Sequence, residues 1–375
     1  MKYLGSLIED ERYGITCTPI RVDLDLPNYV PGNISITQYR GHLVYAIRMV
    51  SYIYHQYSML DNVGVFYELQ NPTPSIIVVG STDGYYPQRV LNIPQGDYQL
   101  WGRHTGPEDP RLYTVGDKLY MIVFHSGLFQ YKVTPVIYVL NDNLSDVSGW
   151  HVADTGNTIE KNWAPIQGFN HEFIYSPAVG NTVTIPMGKM DDKPIFHGGN
   201  HHDHIEGGSS QVIPLNPNWI TITHQRRWWL SHGYRYYNYT HLFKKIPFEN
   251  PWVGSSSVTP FKFLVEGIEF CCGLTKDDRN LYIGFSVWDS SVYIMTIPLV
   301  HLDDALTNMG DQPNHEFFST IYDPDHPGLD MLSYMKWLNP EMALTGWEQQ
   351  KGKIPDNLHN LLKTNLILKS KNLDL

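Results

Sequence analysis

The densest group of charged side chains in the sequence lies at residues 106–111, which read Gly-Pro-Glu-Asp-Pro-Arg. Glu108, Asp109 and Arg111 fall within four residues, and two prolines stiffen the turn that carries them. A carboxyl group beside a guanidinium can be held poised for general acid–base chemistry, which needs a carboxyl positioned at the reacting oxygen. The alternative is a structural turn in which Asp109 simply pairs with Arg111.

Other polar residues along the chain have both a chemical and a structural interpretation. Arg48 on a strand suits a surface ion pair, and Lys161 suits a turn. Gly207 and Gly208 suit positions where the backbone requires a positive φ. Glu269 precedes an apolar Phe-Cys-Cys run, and a carboxylate buried there would need a partner, which favours a functional site.

Short apolar or aromatic strands separated by turn residues are expected to position these side chains. Gly, Asp or Asn precedes most of the strands, as in the Val-Gly-Asp-Lys turn at residues 115–118. Their spacing averages roughly 60 residues and predicts an all-β fold of about five repeated units, which fits a five-bladed β-propeller. A β-sandwich is the alternative. The five similar strands are 43–48, 119–124, 172–175, 219–224 and 281–286.

The C-terminal part of the sequence has a different pattern. Residues 329–338 and 356–366 carry apolar side chains at helical spacing, with Pro340 and Pro355 as breaks. We predict a propeller domain over residues 1–300 and a helical extension over 301–375 that packs on it. This extension would serve either oligomerisation, giving a homo-oligomer, or closure of the ring.

Composition excludes some classes of partner. Hydrophobic residues make up 42% of the 375 residues, and the formal net charge is −11. A broadly acidic surface repels phosphate backbones, so we expect no nucleic-acid partner. The local group His224, Arg226 and Arg227 still suits a small anionic ligand.

Three features bear on the cellular compartment. The cysteines Cys17, Cys271 and Cys272 lack metal-like spacing and suit a reducing environment. The N-terminal residues show no secretory signal, and no apolar run is long enough to span a membrane. We therefore predict a cytoplasmic protein in which the sequons at Asn33, Asn143 and Asn238 are silent; removal of a signal peptide would change that expectation.

The string Glu-Asp-Pro-Arg at residues 108–111, followed by Leu-Tyr-x-x-Gly-Asp-x-Leu-Tyr-Met, resembles the β-1,2-mannoside phosphorylase and hydrolase family (glycoside hydrolase family 130) and the related β-1,2-mannosyltransferases. Further segments agree in order along residues 30–298. Two features depart from the family pattern: no proline follows Asn33, and no second arginine follows the Lys161 element. The further segments are 33–36 with 44–48, 160–165, 207–211 with Trp219 and His224, 239–243, and 268–274 with Asp289.

The resemblance implies a five-bladed propeller with its active site in the central depression at one end of the ring. It implies that Asp109 is the sole protein acid/base and that Arg111 contacts sugar or anion. Arg48, Arg111, Lys161 and His224 would neutralise a leaving phosphate, so no metal or other cofactor is expected. The expected substrate-binding residues are Arg48, Glu108, Arg111, Lys161, Asn162, Gln211, His224, Tyr239, His241, Glu269 and Asp289.

Three functions stay open. The first is a glycosyltransferase that moves a glycosyl unit, mannosyl by resemblance, between a phosphate- or nucleotide-linked donor and a sugar acceptor by single displacement. The second is a β-mannoside phosphorylase or hydrolase, for which Glu269 or Asp289 could act as base for water. The third is a sugar-binding propeller without catalysis, because fold does not determine function. The expected partners are carbohydrate and either phosphate or a sugar nucleotide.

A histidine-rich stretch also invites a metal interpretation. Its members, together with Asp203, lie in a Gly- and Asn-containing loop without helical i, i+4 spacing. We therefore predict a rim loop beside the sugar site and no metal. A second rim is expected at Trp228 and Trp229, next to Arg226 and Arg227, where indoles suit stacking on sugar or base rings. The histidines are His197, His201, His202 and His204.

Overall fold

The computed structural model describes residues 1–311 with internal gaps. The gaps are residues 9, 27–28, 57–63, 69–73, 96–105, 127, 129–131, 158–159, 177–180, 188–192, 198–205, 232–233, 248–255, 258–259, 265–268, 288 and 290. Only the backbone is described for residues 52–56, 64–68, 176, 226–231, 234–238, 247 and 256–257.

Five antiparallel sheets form the blades of a β-propeller, which confirms the predicted fold class. The chain begins with β1 (Lys2–Tyr3), a 3-10 helix (Leu4–Leu7) and β2 (Thr16–Pro19). The first blade contains β3 (Val30–Tyr39), β4 (His42–Val50), β7 (Ile76–Ser81) and β8 (Arg89–Val90). The hairpin of β5 (Tyr52–Gln56) and β6 (Gly64–Glu68) lies between β4 and β7 in the chain and forms a separate two-stranded sheet. The second blade contains β9 (Gly106–Val115), β10 (Lys118–Ser126), β11 (Val133–Leu140) and β12 (Val147–Val152).

The remaining three blades follow in chain order. The third contains β13 (Ala164–Pro165), β14 (Glu172–Ser176), β15 (Asn181–Thr184) and β16 (Ile195–His197). The fourth contains β17 (Glu206–Gly208), β18 (Ile213–Leu215), β19 (Asn218–Ser231), β20 (Tyr234–Pro247), β21 (Ser256–Ser257) and β22 (Phe261–Lys262). The fifth contains β23 (Glu269–Lys276), β24 (Asn280–Val287) and β25 (Ser291–Pro298).

Both faces of a blade are buried, which explains the nearly continuous apolar strands. In β4, Val44 and Ala46 pack into the core shared with the second blade. The alternate residues Tyr45 and Ile47 pack into the core shared with the fifth blade. Successive strand side chains point to opposite faces, so each β4 residue serves one of two interfaces between blades.

The ring is closed by a strand from near the N-terminus. β2 pairs antiparallel with β25 and forms the outer edge of the fifth blade, with Cys17 opposite Met295. Because β2 pairs with β25, this side of the β25 strand is not left as an unpaired sheet edge. Within the described part of the chain, β2 therefore closes the ring, which was one of two roles expected for the C-terminal extension.

The described C-terminal segment is a 3-10 turn (Leu299–His301) leading into α1 (Leu302–Thr307). Leu302, Ala305 and Leu306 are buried against the same core as Leu4 and Leu7 of the first 3-10 helix. These residues at the start of the expected extension pack on the propeller. The arrangement of the extension as a whole stays a prediction. The predicted helices at 329–338 and 356–366 lie outside the described residues, and the boundary at residue 300 stays a prediction. Among the described helices, none has the length and apolarity needed to cross a membrane.

Gln211 holds the centre of the ring together. Its Nε2 donates to the carbonyl of Ile36 at 2.8 Å and to that of Leu112 at 2.6 Å. Its Oε1 accepts from the amide of Leu274 at 2.6 Å. One buried side chain thus links the innermost strands of the first, second and fifth blades to the fourth.

Candidate functional site

Asp109 lies at a β-bulge near the start of β9. Residues 109 and 110 together face Val123 of β10, because Arg111 pairs with Ile122 and Glu108 pairs with Phe124. The Asp109 backbone has a left-handed φ of 48°, which aspartate tolerates better than most residues. Bulges turn side chains away from the regular alternation of a strand and recur beside active sites. The second proline of the motif therefore sits in the bulge that aims Asp109.

The first blade supplies the partners of Asp109 from a second bulge. Asn33 pairs with Arg48 and Pro31 with Met49, so Gly32 is the extra residue in β3. Asn33 Nδ2 donates to Asp109 Oδ1 at 2.7 Å, and Arg48 Nη1 lies 3.5 Å from the same oxygen. Two bulged strands from neighbouring blades thus bring a carboxylate, a carboxamide and a guanidinium together.

Lys161 approaches the same group from the third blade. Its Nζ forms an ion pair with Glu108 Oε2, while Glu108 Oε1 lies 3.8 Å from Arg48 Nη2. Glu108, Asp109 and Arg48 are all less than 9% exposed. The structure therefore brings Arg48 and Lys161 to the Glu108–Asp109 pair, within the few ångströms over which charges strongly affect each other.

The surrounding charges decide the protonation of the site. Burial by itself raises the pKa of Asp109, but Arg48, Lys161, Arg111 and the Asn33 hydrogen bond together hold it below its usual value. Burial likewise opposes the charge of Lys161, yet Glu108 and Asp109 raise the pKa of its ammonium. At neutral pH the free protein therefore holds an ionised Asp109 among cations, which suits proton acceptance.

Arg111 is completely buried, and its donors point at the protein. Nε donates to the carbonyl of Ser209 at 2.6 Å and Nη1 to the carbonyl of Asp109 at 3.1 Å. Its guanidinium carbon lies 5.2 Å and 6.0 Å from the ring centres of Phe124 and Phe270. Arg111 thus positions the Asp109 bulge and adds positive charge behind it. Its contact with sugar or anion stays a prediction.

Close packing of the third and fourth blades explains the two glycines. A Cβ at Gly208 would lie 2.4 Å from the carbonyl oxygen of Asn162, and one at Gly207 would lie 2.7 Å from the His224 ring. Neither glycine has a positive φ, so the expectation that they supply that conformation is wrong. Glycine is needed at both positions because the Asn162 backbone, with a φ of 66°, and the His224 ring leave no room for a side chain.

His224 and Tyr239 form an aromatic wall beside Arg111. The His224 ring is centred 4.9 Å from Phe270 and 5.4 Å from Tyr239, and its Nδ1 lies 2.7 Å from Ser209 Oγ. His224 is nearly buried, whereas Tyr239 is half-buried. Tyr239 is thus placed to meet a ligand, and His224 to support it.

Three other predicted site residues are buried structural groups. The amide group of Gln211 is hydrogen-bonded to the backbone of three other blades. The Glu269 carboxylate accepts from the amides of Phe263 at 2.7 Å and Leu264 at 2.5 Å and is fully buried. His241 is also fully buried, beside Phe263, and burial, His224 and Lys262 lower its pKa. Each of the three faces the protein interior in this structure, and a contact with substrate stays a prediction for them.

Asp289 lies near the same end of the ring, as do Asn33 and Ser286, which were not among the predicted site residues. Asp289 follows β24 with a φ of 50° and is partly exposed. Ser286, in β24, donates from Oγ to Asn33 Oδ1 at 2.6 Å and so orients the amide that holds Asp109. The asparagine of the 33–36 motif was the available signal for Asn33; Ser286 had none, because its pairing is a long-range contact.

The histidine-rich stretch is described only at its start. His197 ends β16 and is exposed, with Nε2 3.1 Å from Thr184 Oγ1. Asp203 and the later histidines lie outside the described residues, and β19 is described as backbone only at the Arg226, Arg227, Trp228 and Trp229 positions. In the part of the chain with described side chains, no three His, Cys, Asp or Glu residues come together as a metal site.

Comparisons with known proteins find similar folds and no sequence relatives. No family model and no curated protein matches the sequence. The β-1,2-mannobiose phosphorylase of Listeria innocua is 13% identical with a TM-score of 0.46, covering 78% of this chain and 96% of that one. A glycosyl hydrolase of Bacteroides ovatus is 13% identical with a TM-score of 0.45, covering 80% and 85%. A family 43 endo-arabinanase of Bacillus licheniformis is 8% identical with a TM-score of 0.37, covering 74% and 96%.

Proposed function

We propose that this protein transfers a glycosyl unit between a phosphate-linked donor and a sugar hydroxyl, with Asp109 as the acid/base. The supporting observation is the position of Asp109: buried, held by Asn33 and surrounded by cations from three blades. The mannosyl identity of the unit rests on the family resemblance of the sequence alone. A nucleotide-linked donor is the variant of this proposal in which a nucleoside diphosphate leaves instead of phosphate.

The proposed reaction is a single displacement that needs no cofactor. The acceptor oxygen bonds to the anomeric carbon while the bond from that carbon to the phosphate oxygen breaks, and phosphate leaves with the electron pair. The acceptor proton passes to the Asp109 carboxylate, directly or through a neighbouring sugar hydroxyl. In the reverse direction phosphate attacks the anomeric carbon, and Asp109 returns the proton to the glycosidic oxygen.

Cations beside the carboxylate suit the charge on phosphate. Arg48 and Lys161 reach the site from separate blades, and Lys161 is 38% exposed at its side chain. Guanidinium and ammonium groups stabilise phosphate oxygens by charge-assisted hydrogen bonds. A neutral sugar lectin has little use for such a group, so this arrangement favours an enzyme over a sugar-binding propeller.

The state of the other carboxylates favours phosphate over water as the second reactant. Hydrolysis with two carboxylates requires a second group about 5–9.5 Å from the first. Glu269 is bound by two backbone amides, and Glu108 is ion-paired with Lys161. Asp289 is therefore the one remaining candidate for a hydrolytic base among the predicted site residues.

Product formation by purified protein tests the proposal. Mannose 1-phosphate or GDP-mannose is supplied with simple sugar acceptors, and the Asp109→Asn variant is assayed in parallel. We expect transfer in the wild type and a loss of about 10²–10⁴-fold in the variant, the usual contribution of an acid/base group. Asp117→Asn is the matched control, because Asp117 lies exposed at the other end of the same hairpin.

The donors separate the alternatives. Turnover with mannose 1-phosphate supports the phosphate-linked reaction, and turnover with GDP-mannose alone supports the nucleotide-linked one. Cleavage of β-mannosides by water without phosphate would establish the hydrolase instead. No turnover under any of these conditions, with sugar binding unaffected by Asp109→Asn, would establish a binding propeller and overturn the proposal.

A further inference from the structure

A cavity lies at the end of the propeller opposite Asp109. It has a volume of about 320 Å³ and is lined by residues from the first and second blades. The hairpin turns that form it join β3 to β4, β7 to β8, and β11 to β12. Six residues of strand separate Asp109 from the far end of β9, a distance of about 20 Å. The lining residues are Arg40, His42, Tyr85, Tyr86, Pro87, Arg89, Asp142 and Asn143.

Tyr85 presents an aromatic face to solvent at this cavity. The residue is 65% exposed, more than any other aromatic side chain whose exposure the structure describes. Its ring stacks on His42 with centres 3.9 Å apart and planes 10° apart, and it meets the edge of Tyr86 at 4.9 Å. An exposed aromatic face in a rigid stack suits the apolar C–H surface of a sugar ring.

The stack is held in place by hydrogen bonds before any ligand arrives. Asp83 Oδ2 lies 2.6 Å from His42 Nδ1, and Asp83 Oδ1 accepts from the amide of Tyr85 at 3.1 Å. The hydroxyl of Ser81 also donates to Asp83 Oδ1, at 2.6 Å. These contacts fix the turn between β7 and β8, so a ligand would lose little free energy in ordering it.

The charged residues that line the cavity are two arginines and one aspartate, and the Asp83 carboxylate lies beside its His42. Arg40 pairs with Asp142 at 3.0 Å and joins the two blades, whereas Arg89 makes no ion pair with the residues that the structure describes. Asp142 is paired with Arg40 and Asp83 with His42, so the Arg89 guanidinium is the one that can meet an anion. A planar guanidinium binds carboxylate or phosphate through two parallel hydrogen bonds.

The backbone of Arg40 is an independent sign that this side chain is needed. Arg40 has a φ of 51° and Gly41 a φ of 84° in the turn between β3 and β4. Two-residue hairpin turns with both φ values positive favour asparagine or aspartate followed by glycine, and arginine there is strained. The strained position carries a side chain that lines the cavity and pairs across the blades.

We propose that this cavity binds a monosaccharide unit that carries an anionic group, with the sugar ring on Tyr85 and the anion at Arg89. The volume is near the lower end of the 300–1,000 Å³ that is usual for small-ligand sites, so one sugar unit fits. The anion is either the phosphate of a sugar phosphate or the carboxylate of a uronic acid, which share this chemistry. The site is independent of the reaction at Asp109.

Isothermal titration calorimetry with mannose 1-phosphate, glucuronate and mannose tests the proposal, together with hydrogen exchange to locate each ligand. At least one anionic sugar should bind and protect residues 82–90 and 141–146. Tyr85→Ala and Arg89→Gln should each weaken this binding at least tenfold, and mannose should bind at least tenfold more weakly. Which anionic sugar protects these segments distinguishes phosphate from carboxylate.

Phe169→Ala is the matched control, because Phe169 is an exposed aromatic residue in the turn between β13 and β14, near the same end of the propeller. It should leave binding unchanged. Absence of protection at both segments with all three probes would overturn the proposal, and so would equal binding of mannose that Arg89→Gln does not affect. Because the Asp109 variants are read by product formation, failure at one end of the ring is distinguishable from failure at the other.

Discussion

Arg48 Nη1 lies 3.5 Å from Asp109 Oδ1, the same oxygen that accepts the hydrogen bond from Asn33. The Asn33 and Arg48 contacts therefore share one oxygen of this carboxylate. We expect the other oxygen, Oδ2, to exchange the proton with a substrate. An ionised carboxylate held in this way on one side is arranged as a base in the free protein.

The Asn33 hydrogen bond should set the acidic limb of the pH–rate profile. In Asn33→Ala the loss of a donor to the charged form raises the pKa of Asp109, so a larger fraction is protonated at low pH. Hydrogen bonds to charged groups contribute about 1.5–3 kcal/mol, so the acidic limb for glycosyl transfer should move to higher pH by about one to two units. The measurement is kcat against pH.

Ser286→Ala supplies the matched comparison for that profile. Ser286 holds Asn33 without touching Asp109 in the described contacts, so its loss should shift the limb less and in the same direction. An acidic limb that stays in place in Asn33→Ala would show that Asp109 does not govern the rate.

Anion binding should couple to proton uptake at Asp109. An anion that binds Arg48 and Lys161 offsets the positive charge that lowers the pKa of Asp109, so that pKa rises and protons are taken up. Sulfate is a suitable probe because it does not titrate near neutral pH. Calorimetry at about pH 5 in two buffers with different ionisation enthalpies should show net uptake, and Asp109→Asn should abolish it. If Asp109→Asn takes up as many protons as the wild type when sulfate binds, a group other than Asp109 takes up the proton.

Gln211 should affect stability rather than substrate affinity. Gln211→Leu leaves the carbonyls of Ile36 and Leu112 and the amide of Leu274 without their partner, at a cost of about 1–3 kcal/mol each. We expect the free energy of unfolding to fall by more than about 3 kcal/mol, with KM unchanged in the folded fraction. The control is Gln95→Leu, at an exposed glutamine. If Gln211→Leu unfolds like the wild type but has a raised KM, this result would support a contact between Gln211 and the substrate.

Local sequence was sufficient for some parts of the site and insufficient for others. The 106–111 string shows Glu108 and Asp109 directly, because turn residues and charges are adjacent in the chain. Arg48 and Lys161 were reached through the resemblance, since their approach to Asp109 depends on how separate blades pack. For Gln211 and Glu269 the sequence could not tell which groups the side chain faces, and both proved to bind backbone amides or carbonyls.

Local sequence likewise predicted some features of the fold and not others. Apolar strands and turn signals repeat along the chain, so an all-β fold of repeated units followed from local pattern. The number of blades was supported by the family resemblance as well. Closure by Thr16–Pro19 depends on pairing with Ser291–Pro298 across almost the whole chain. A four-residue edge strand has too little local pattern to reveal such a partner.

His171 should make the propeller less stable below neutral pH. Burial, together with nearby His151, lowers the pKa of His171 from 6.5 to about 4, and its Nδ1 lies 2.9 Å from the Tyr113 hydroxyl. Between these two pKa values the unfolded chain binds a proton that the folded one does not, so stability is lost as the pH falls through that window. The difference corresponds to about 3 kcal/mol, which partial solvent screening reduces to about 2 kcal/mol.

His171→Asn isolates this contribution, because asparagine tolerates the φ of 55° at this position and does not titrate. The variant should be less stable at pH 7 because packing is lost, but its stability should fall less steeply from pH 6.5 to pH 4. Urea unfolding of both proteins at several pH values measures the difference between the slopes. Parallel slopes would mean that the folded protein protonates His171 as readily as the unfolded chain does.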